Sequence, residues 1–324
     1  MRLAVSPTTP GIPAPDLVSV CAAAEAMGYD AAWLAEVAGP EAFSLAGAVA
    51  RSTSTMDVGV AVVAATTRTP ALLAMGAGTV SQLLEGRAFS LGIGSSSQVI
   101  VESWHGAGFS PPLQRVRESV EATRAALGGN DYAGEHSATS RFRLATPPSG
   151  PVRLVVGALG PRMLRLAGAV GDGVCLNLMP PEAVERQLAE VRRGADDVGR
   201  ELPDDFEVMG RFHIALGPPD RGREVIRSAF GPYFAQPVYN RFLGWLGWEQ
   251  EAARIAEGFA RGDRGAVAGA LHDGIVDGVA LVGEPARVRE RLAEYAAAGV
   301  GVAALNVIAP DASGVLDGLE ALAP

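Results

Sequence analysis

The chain contains no lysine: all 27 basic residues among its 324 are arginine. Without a lysine side chain there can be no internal Schiff base, which excludes lysine-dependent aldolases and pyridoxal-phosphate enzymes. A phosphate-binding P-loop also needs a lysine and is excluded for the same reason.

Cysteine is scarce as well, and Cys21 and Cys175 both lie in apolar surroundings, which predicts buried free thiols and a cytoplasmic location. The four histidines and two cysteines lack the spacings of a metal site, so we expect no metal. No apolar run reaches the length of about 18 residues that a membrane span needs. Prolines from Pro7 onward break the apolar start, so we expect neither a signal peptide nor a membrane partner.

The charge balance is acidic, with a net charge of −9 and no arginine cluster, so we expect no nucleic-acid partner. Hydrophobic residues make up 48% of the chain and charged residues 19%, which is enough to fill a large core. The length suits one barrel with insertions, and we therefore expect a single domain over residues 1–324.

Short apolar runs alternate with amphipathic stretches along the chain. Strands are predicted at residues 3–6, 31–36, 58–63, 88–93, 152–156, 173–178, 206–216 and 302–308. Such alternation indicates parallel strands with helical crossovers, and eight of them close best as a (β/α)₈ TIM barrel. An open doubly wound sheet is the alternative.

Two insertions interrupt the predicted barrel. The first, near residues 130–148, resembles a small hairpin with strands around Tyr132 and at residues 141–144. The second, near residues 217–277, is a helical segment that carries eight aromatic residues. These aromatics either pack helices on the barrel or at a subunit interface, or form a lid over the mouth where barrel chemistry takes place.

Two loops carry the features of an anion or cofactor site. Residues 94–97 follow the fourth strand with Gly94, Ser95 and Ser96, whose small size and polar groups suit a cofactor tail. Residues 158–163 join a strand to a helix, where free N–H groups and the helix dipole favour phosphate. A plain polar loop and an ordinary Gly-Pro helix start are the respective alternatives.

Two side chains are candidates for acid–base work. Glu36 ends the second strand and places a carboxylate at the barrel mouth, which suits a proton donor or a polar contact. His105 follows the fourth strand and could shuttle a proton near neutral pH. A solvated carboxylate and a helix-end histidine are the alternatives.

Several ordered runs resemble the luciferase-like oxidoreductases: residues 67–74, 84–94, 158–168, 169–174, 281–285 and 295–300. The glycine-, proline- and alanine-rich run at residues 158–168 resembles the F420-dependent branch. The resemblance implies a barrel with insertions, usually a homodimer, that binds coenzyme F420 or, alternatively, FMN at its C-terminal mouth.

The resemblance also implies individual site residues. A bulge with a non-proline cis peptide is implied at about Ala61 and Val62, with Ala64 beside the deazaflavin ring. Gly94, Ser95 and Ser96 match contacts to the cofactor tail, and Glu36 matches an acidic residue near the ring. The phosphate site maps onto Ala158, Leu159, Gly160, Arg162 and Met163.

The resemblance fails at the position of one catalytic acidic residue. Some F420-dependent dehydrogenases have a catalytic glutamate where this chain has Ser97, and the lysine-bearing pocket of sugar-phosphate members is impossible here. We therefore expect hydride transfer between reduced F420 and an organic small molecule, as in reduction of an activated C=C or C=N bond. An FMN-dependent monooxygenase and a non-catalytic flavin-binding protein are the alternatives.

Overall fold

A computed structural model describes residues 1–8 and 11–324 of the chain. Its strands are β1 (Arg2–Val5), β2 (Ala31–Leu34), β3 (Asp57–Ala64), β4 (Phe89–Gly94), β5 (Tyr132–Ala133), β6 (Ala138–Thr139), β7 (Val152–Gly157), β8 (Gly173–Asn177), β9 (Glu207–Leu216), β10 (Leu281–Gly283) and β11 (Val302–Val307).

Eight parallel strands close into a barrel in the order β1, β2, β3, β4, β7, β8, β9 and β11. The β8–β9 and β11–β1 pairings complete the ring, so the predicted (β/α)₈ barrel is confirmed and the open sheet is wrong. The short strand β10 pairs with the end of β9 outside this ring.

Helices surround the barrel and connect its strands. They are α1 (Ala14–Ala26), α2 (Ala42–Ser52), α3 (Pro70–Leu83), α4 (Pro112–Leu127), α5 (Pro161–Val170), α6 (Pro181–Asp196), α7 (Pro219–Phe234), α8 (Pro237–Trp245), α9 (Glu249–Ala260), α10 (Arg264–Ala270), α11 (Asp273–Val279), α12 (Pro285–Ala297) and α13 (Ala312–Leu322). A π-helix, Val99–Trp104, follows β4. No helix within residues 1–8 and 11–324 is long and apolar enough to cross a bilayer.

Both predicted insertions are present, with one correction. Helices α7 to α11 form the helical segment, and β5 pairs antiparallel with β6 as a small hairpin. The second hairpin strand lies at Ala138–Thr139, so its prediction at residues 141–144 is wrong. There Asp131 accepts hydrogen bonds from the backbone N–H of Arg141 and from the Arg143 side chain, and no strand forms.

The barrel interior is layered because side chains alternate between the two faces of each strand. Trp33 fills the middle layer, and a Cβ on Gly59 of the neighbouring strand would lie 2.6 Å from its ring. Below it Glu207 is buried, accepting a hydrogen bond from Ser90 at 3.1 Å and pairing with Arg2 at 3.0 Å. Apolar residues of the same strands point outward and pack against the helices.

Burial raises the pKa of Glu207, opposed by the Ser90 hydrogen bond and the Arg2 charge. A raised pKa means that the protonated form favours folding, so its contribution to stability is lost as the pH rises through the folded-state pKa. We expect Glu207→Gln to become more stable relative to the wild type as the pH is raised from about 4, just below the unfolded glutamate pKa.

Urea denaturation at several pH values measures this difference. Glu290→Gln is the matched control, because Glu290 is exposed and pairs with Arg287 at 3.1 Å. A Glu207→Gln difference that stays flat with pH, or that follows the Glu290→Gln control, would contradict the assignment.

Candidate active site

A bulge in β3 marks the C-terminal mouth of the barrel. The register between β3 and β4 shifts between Val60 and Val63, and the Ala61–Val62 peptide bond is cis. The bulge and the cis peptide that the family resemblance implied are therefore both present at the predicted residues. Ala64 ends the strand and is buried at the same edge.

Three glycines on the next two strands make room for the Val62 side chain. A Cβ on Gly92 would lie 2.1 Å from the Val60 carbonyl oxygen and 2.9 Å from Val62 Cγ1. A Cβ on Gly94 would lie 2.7 Å from Val62 Cγ2, and one on Gly157 would lie 3.0 Å from Cγ1. Side chains at these glycines would therefore displace Val62 from the mouth.

The two predicted cofactor loops lie side by side. They follow β4 and β7, which pair in register as far as Ile93 and Val156. A Cβ on Gly94 would be 3.9 Å from the Gly157 Cα, so the two strand ends touch at the point where the loops begin. The barrel therefore brings the two predicted loops together.

In the loop after β4, Ser95 and Ser96 remain partly accessible. Ser96 has a positive φ of 57°, and Ser95 Oγ donates only to the neighbouring carbonyl of Ser96, at 3.3 Å. Ser97 Oγ instead accepts from the N–H of Ile100 and starts the π-helix. The two serines beside the strand end are thus the polar groups available to a ligand.

The loop after β7 offers fewer free N–H groups than predicted. The N–H of Ala158 donates to Cys175 at 3.0 Å, and that of Met163 donates to Gly160 at 3.1 Å. The N–H of Met163 is therefore not a free group, and the place of Met163 in the phosphate site stays a prediction. Nothing lies within 4 Å of a Cβ built on Gly160, so the backbone there is open.

Arg162 is the exposed cation of this loop. It lies in the first turn of α5, at the positive end of the helix dipole. Among the residues that the structure describes, no Asp or Glu pairs with Arg162, whereas Arg165 of the same helix pairs with Glu190 at 2.6 Å. A positive charge and a helix N-terminus thus meet beside Gly160.

Glu36 lies at the mouth as predicted, but its carboxylate is fully engaged. Its two oxygens accept from Arg68 at 2.8 and 2.7 Å and from the N–H of Ala42 at 2.9 Å. Arg68 also binds Glu41, and the carboxylate of Glu36 is the main group that raises the pKa of Arg68. These contacts favour a role for Glu36 in holding two mouth loops together over a role as proton donor.

His105 lies away from these contacts, at the end of the π-helix that follows the loop after β4. It is exposed, and its backbone N–H donates to the carbonyl of Ile100 at 3.3 Å. Its role as a proton shuttle stays a prediction.

A polar chain on the far wall of the mouth was not anticipated from the sequence. Arg211 donates through Nη2 to Thr8, whose hydroxyl donates to Asn306 Oδ1 at 3.3 Å. Asn306 Nδ2 donates to His213 Nδ1 at 2.9 Å, and His213 Nε2 donates to Asn177 Oδ1 at 3.1 Å. These side-chain hydrogen bonds therefore connect four elements: β8, β9, β11 and the segment after β1.

The charges of this wall are unusual. Burial, aided by the nearby charge of Arg211, lowers the pKa of His213 well below its ordinary value, so the ring is neutral at neutral pH. Burial also lowers the pKa of Arg211. Within the described part of the chain no carboxylate pairs with Arg211, and its buried Nε has no hydrogen-bond partner.

The helical insertion reaches this same wall. Phe230 of α7 packs against His213 in a tilted arrangement with ring centroids 4.4 Å apart, and Tyr233 and Tyr239 continue the aromatic row at 5.7 and 5.6 Å. The aromatic insertion thus packs against the β9 side of the mouth, a contact that fits both helix packing on the barrel and a lid.

The sequence did contain a signal for the missed wall. Glu207, Met209, Arg211 and His213 alternate along β9, which places them on the interior face of the barrel. Arg211 and His213 lie toward the C-terminal end of the strand, where barrel enzymes place their functional groups.

Residues 1–8 and 11–324 contain no group of three His, Cys, Asp or Glu side chains arranged to hold a metal ion.

Comparisons with known proteins point to one family. A family model described as luciferase-like monooxygenase matches residues 1–301. A 5,10-methylenetetrahydromethanopterin reductase of Archaeoglobus fulgidus is 31% identical over 300 residues, covering 89% of this chain and 88% of the relative. An F420-dependent glucose-6-phosphate dehydrogenase of Segniliparus rotundus is 33% identical over 205 residues, covering 57% and 60% of the two chains.

A solved structure shares the fold. The coenzyme F420 dependent tetrahydromethanopterin reductase from Methanopyrus kandleri superposes with a TM-score of 0.80 at 20% identity. The match covers 99% of this chain and 97% of that one.

The close contacts of Gly92 with Val60 and Val62 predict the effect of a substitution there. Gly92→Ala should destabilise the protein by about 1–3 kcal/mol, because the new Cβ overlaps the Val60 carbonyl. The control is Gly269→Ala, at an exposed position in α10 with nothing within 4 Å of a new Cβ. It should be stabilising by about 0.5–1 kcal/mol. Equal midpoints for the two variants in urea would refute the steric account.

Proposed function

This chain belongs to the luciferase-like monooxygenase family, and we propose that it is an oxidoreductase that uses coenzyme F420. Two of the compared proteins carry F420 in their names, and together they match this chain in sequence and in fold. The observation that carries the proposal is the pair of open strand ends, β4 and β7, that meet beside Val62.

The residues present fit the cofactor. Val62, with Ala61 and Ala64 near it in the same strand, provides an apolar support for a flat ring. Gly94, Ser95 and Ser96 provide close backbone approach and hydroxyls for the polar tail. A tail phosphate fits the open backbone at Leu159 and Gly160, where Arg162 and the start of α5 supply positive charge.

When bound, F420 supplies a hydride to, or accepts one from, a carbon atom of the substrate. The protein positions the reactants, with Val62 on one side of the mouth and the aromatic row from α7 and α8 on the other. The pair Glu36 and Arg68 fixes the loops after β2 and β3 around the opening. His105 is the proton-donor candidate that the sequence offers.

We propose reduction of an activated C=C or C=N bond as the reaction. A sugar phosphate is disfavoured because the chain offers no lysine for a doubly charged phosphate, and the far wall carries a single arginine. The aromatic row favours a substrate with a flat apolar part.

Titration of the purified protein with F420 and with FMN, followed by cofactor fluorescence, tests the cofactor. We expect F420 to bind with a Kd on the order of 1 μM and FMN to bind at least about tenfold more weakly. Micromolar binding of FMN without binding of F420 would replace the proposal with an FMN-dependent monooxygenase.

The phosphate assignment has its own test. Arg162→Gln should weaken F420 binding by about tenfold or more, since it removes a charge-assisted contact. Arg165→Gln is the control, because Arg165 lies in the same helix but is already paired with Glu190. Equal F420 affinities for the two variants would show that Arg162 does not contact the cofactor.

A further inference from the structure

The two walls of the mouth lie on opposite sides of the barrel. In the ring order β1, β2, β3, β4, β7, β8, β9 and β11, strand β9 is four strands from β3 in either direction. Val62 of β3 and Arg211 of β9 are therefore on facing walls at the same open end. A ligand between them has the Val62 support on one side and the polar wall on the other.

Arg211 has no anionic partner among the described residues, although its guanidinium is partly buried. Its guanidinium donates through Nη2 to Thr8, while the buried Nε has no acceptor and no carboxylate pairs with it in the described residues. A partly buried guanidinium without an anion is unfavourable, since water is removed without replacement. Ser6, at the end of β1, also has a buried hydroxyl without a partner. A ligand that supplies hydrogen-bond acceptors would thus pair the groups that this wall leaves without partners.

The number of charged side chains on this wall limits the charge of the ligand that it can bind. Thr8, Asn306 and Asn177 are uncharged, and His213 is held neutral by its burial and by the charge of Arg211. One guanidinium therefore balances one negative charge. Its planar fork of N–H groups matches the planar oxygens of a carboxylate. The aromatic row beside it, with Tyr233 and Tyr239, suits an apolar group attached to that carboxylate.

We propose that Arg211 binds a carboxylate of the substrate and so selects unsaturated or aromatic carboxylic acids. This inference rests on the proposed function for the position of the cofactor, which places its ring on the Val62 side. Arg211 is then the specificity residue, and the chain through Thr8, Asn306 and His213 holds its position.

A carboxylate or phosphate could also come from the anionic tail of the cofactor. The predicted tail site lies with Arg162 at the start of α5, after β7, whereas Arg211 lies two strands farther around the ring. The two sources differ in what Arg211 should affect. If the substrate supplies the carboxylate, removing the guanidinium leaves F420 affinity unchanged.

Calorimetric titration of cinnamate and its neutral analogue cinnamamide tests the proposal, with the protein both alone and loaded with oxidised F420. We expect wild-type protein to bind cinnamate about tenfold or more tightly than cinnamamide, because the carboxylate gains a charge-assisted pair. Arg211→Gln should bring the two affinities to within about twofold of each other. Arg165→Gln, as control, should keep the wild-type preference.

Each other outcome overturns the proposal. These are equal affinities of cinnamate and cinnamamide for the wild type, no cinnamate binding at millimolar concentration, and a preference that survives in Arg211→Gln. Loss of F420 affinity in Arg211→Gln would assign the arginine to the cofactor instead. Arg211→Lys, which keeps the charge, serves if the glutamine variant does not fold, and should keep part of the preference. Failure of F420 to bind the wild type contradicts the proposed function alone, since the titrations without cofactor still report on Arg211.

Discussion

The mouth of this barrel depends on one steric contact, that of Val62 with the three glycines at positions 92, 94 and 157. Because these residues lack a Cβ, the β3 bulge leans over β4 and β7 and its side chain enters the mouth. The same missing side chains leave the strand ends open, so that the loops carrying Ser95 and Gly160 begin side by side. Support for a ring and access for its tail thus have one common cause.

The opposite wall has a different physical character. Arg211 brings a positive charge into the mouth without an acidic partner in the described chain, and the hydrogen bonds of Thr8, Asn306 and His213 hold the wall in place. Since burial keeps His213 neutral, Arg211 is the charged side chain of this wall among residues 1–8 and 11–324. A cofactor on one wall and a singly charged substrate on the other would bring their reacting atoms together between the walls.

Much of the fold was predictable, because strand and helix periodicities leave a direct trace in the sequence. All eight barrel strands were predicted within a few residues of their bounds, and family resemblance located the bulge at Ala61 and Val62. The candidate site was harder to predict from the sequence. The polar wall is assembled from residues as distant as Thr8 and Asn306, and such pairing depends on barrel closure. The contacts that occupy Glu36 likewise depend on where Arg68 lies, which no local pattern reveals.

A crystal structure with both F420 and cinnamate bound tests the central claim, that the cofactor and the substrate occupy facing walls. The account predicts the deazaflavin ring against Val62, the tail phosphate at Gly160 and Arg162, and the carboxylate of cinnamate within hydrogen-bond distance of Arg211. A cofactor ring or phosphate bound at Arg211, with the Val62 side of the mouth empty, would contradict it.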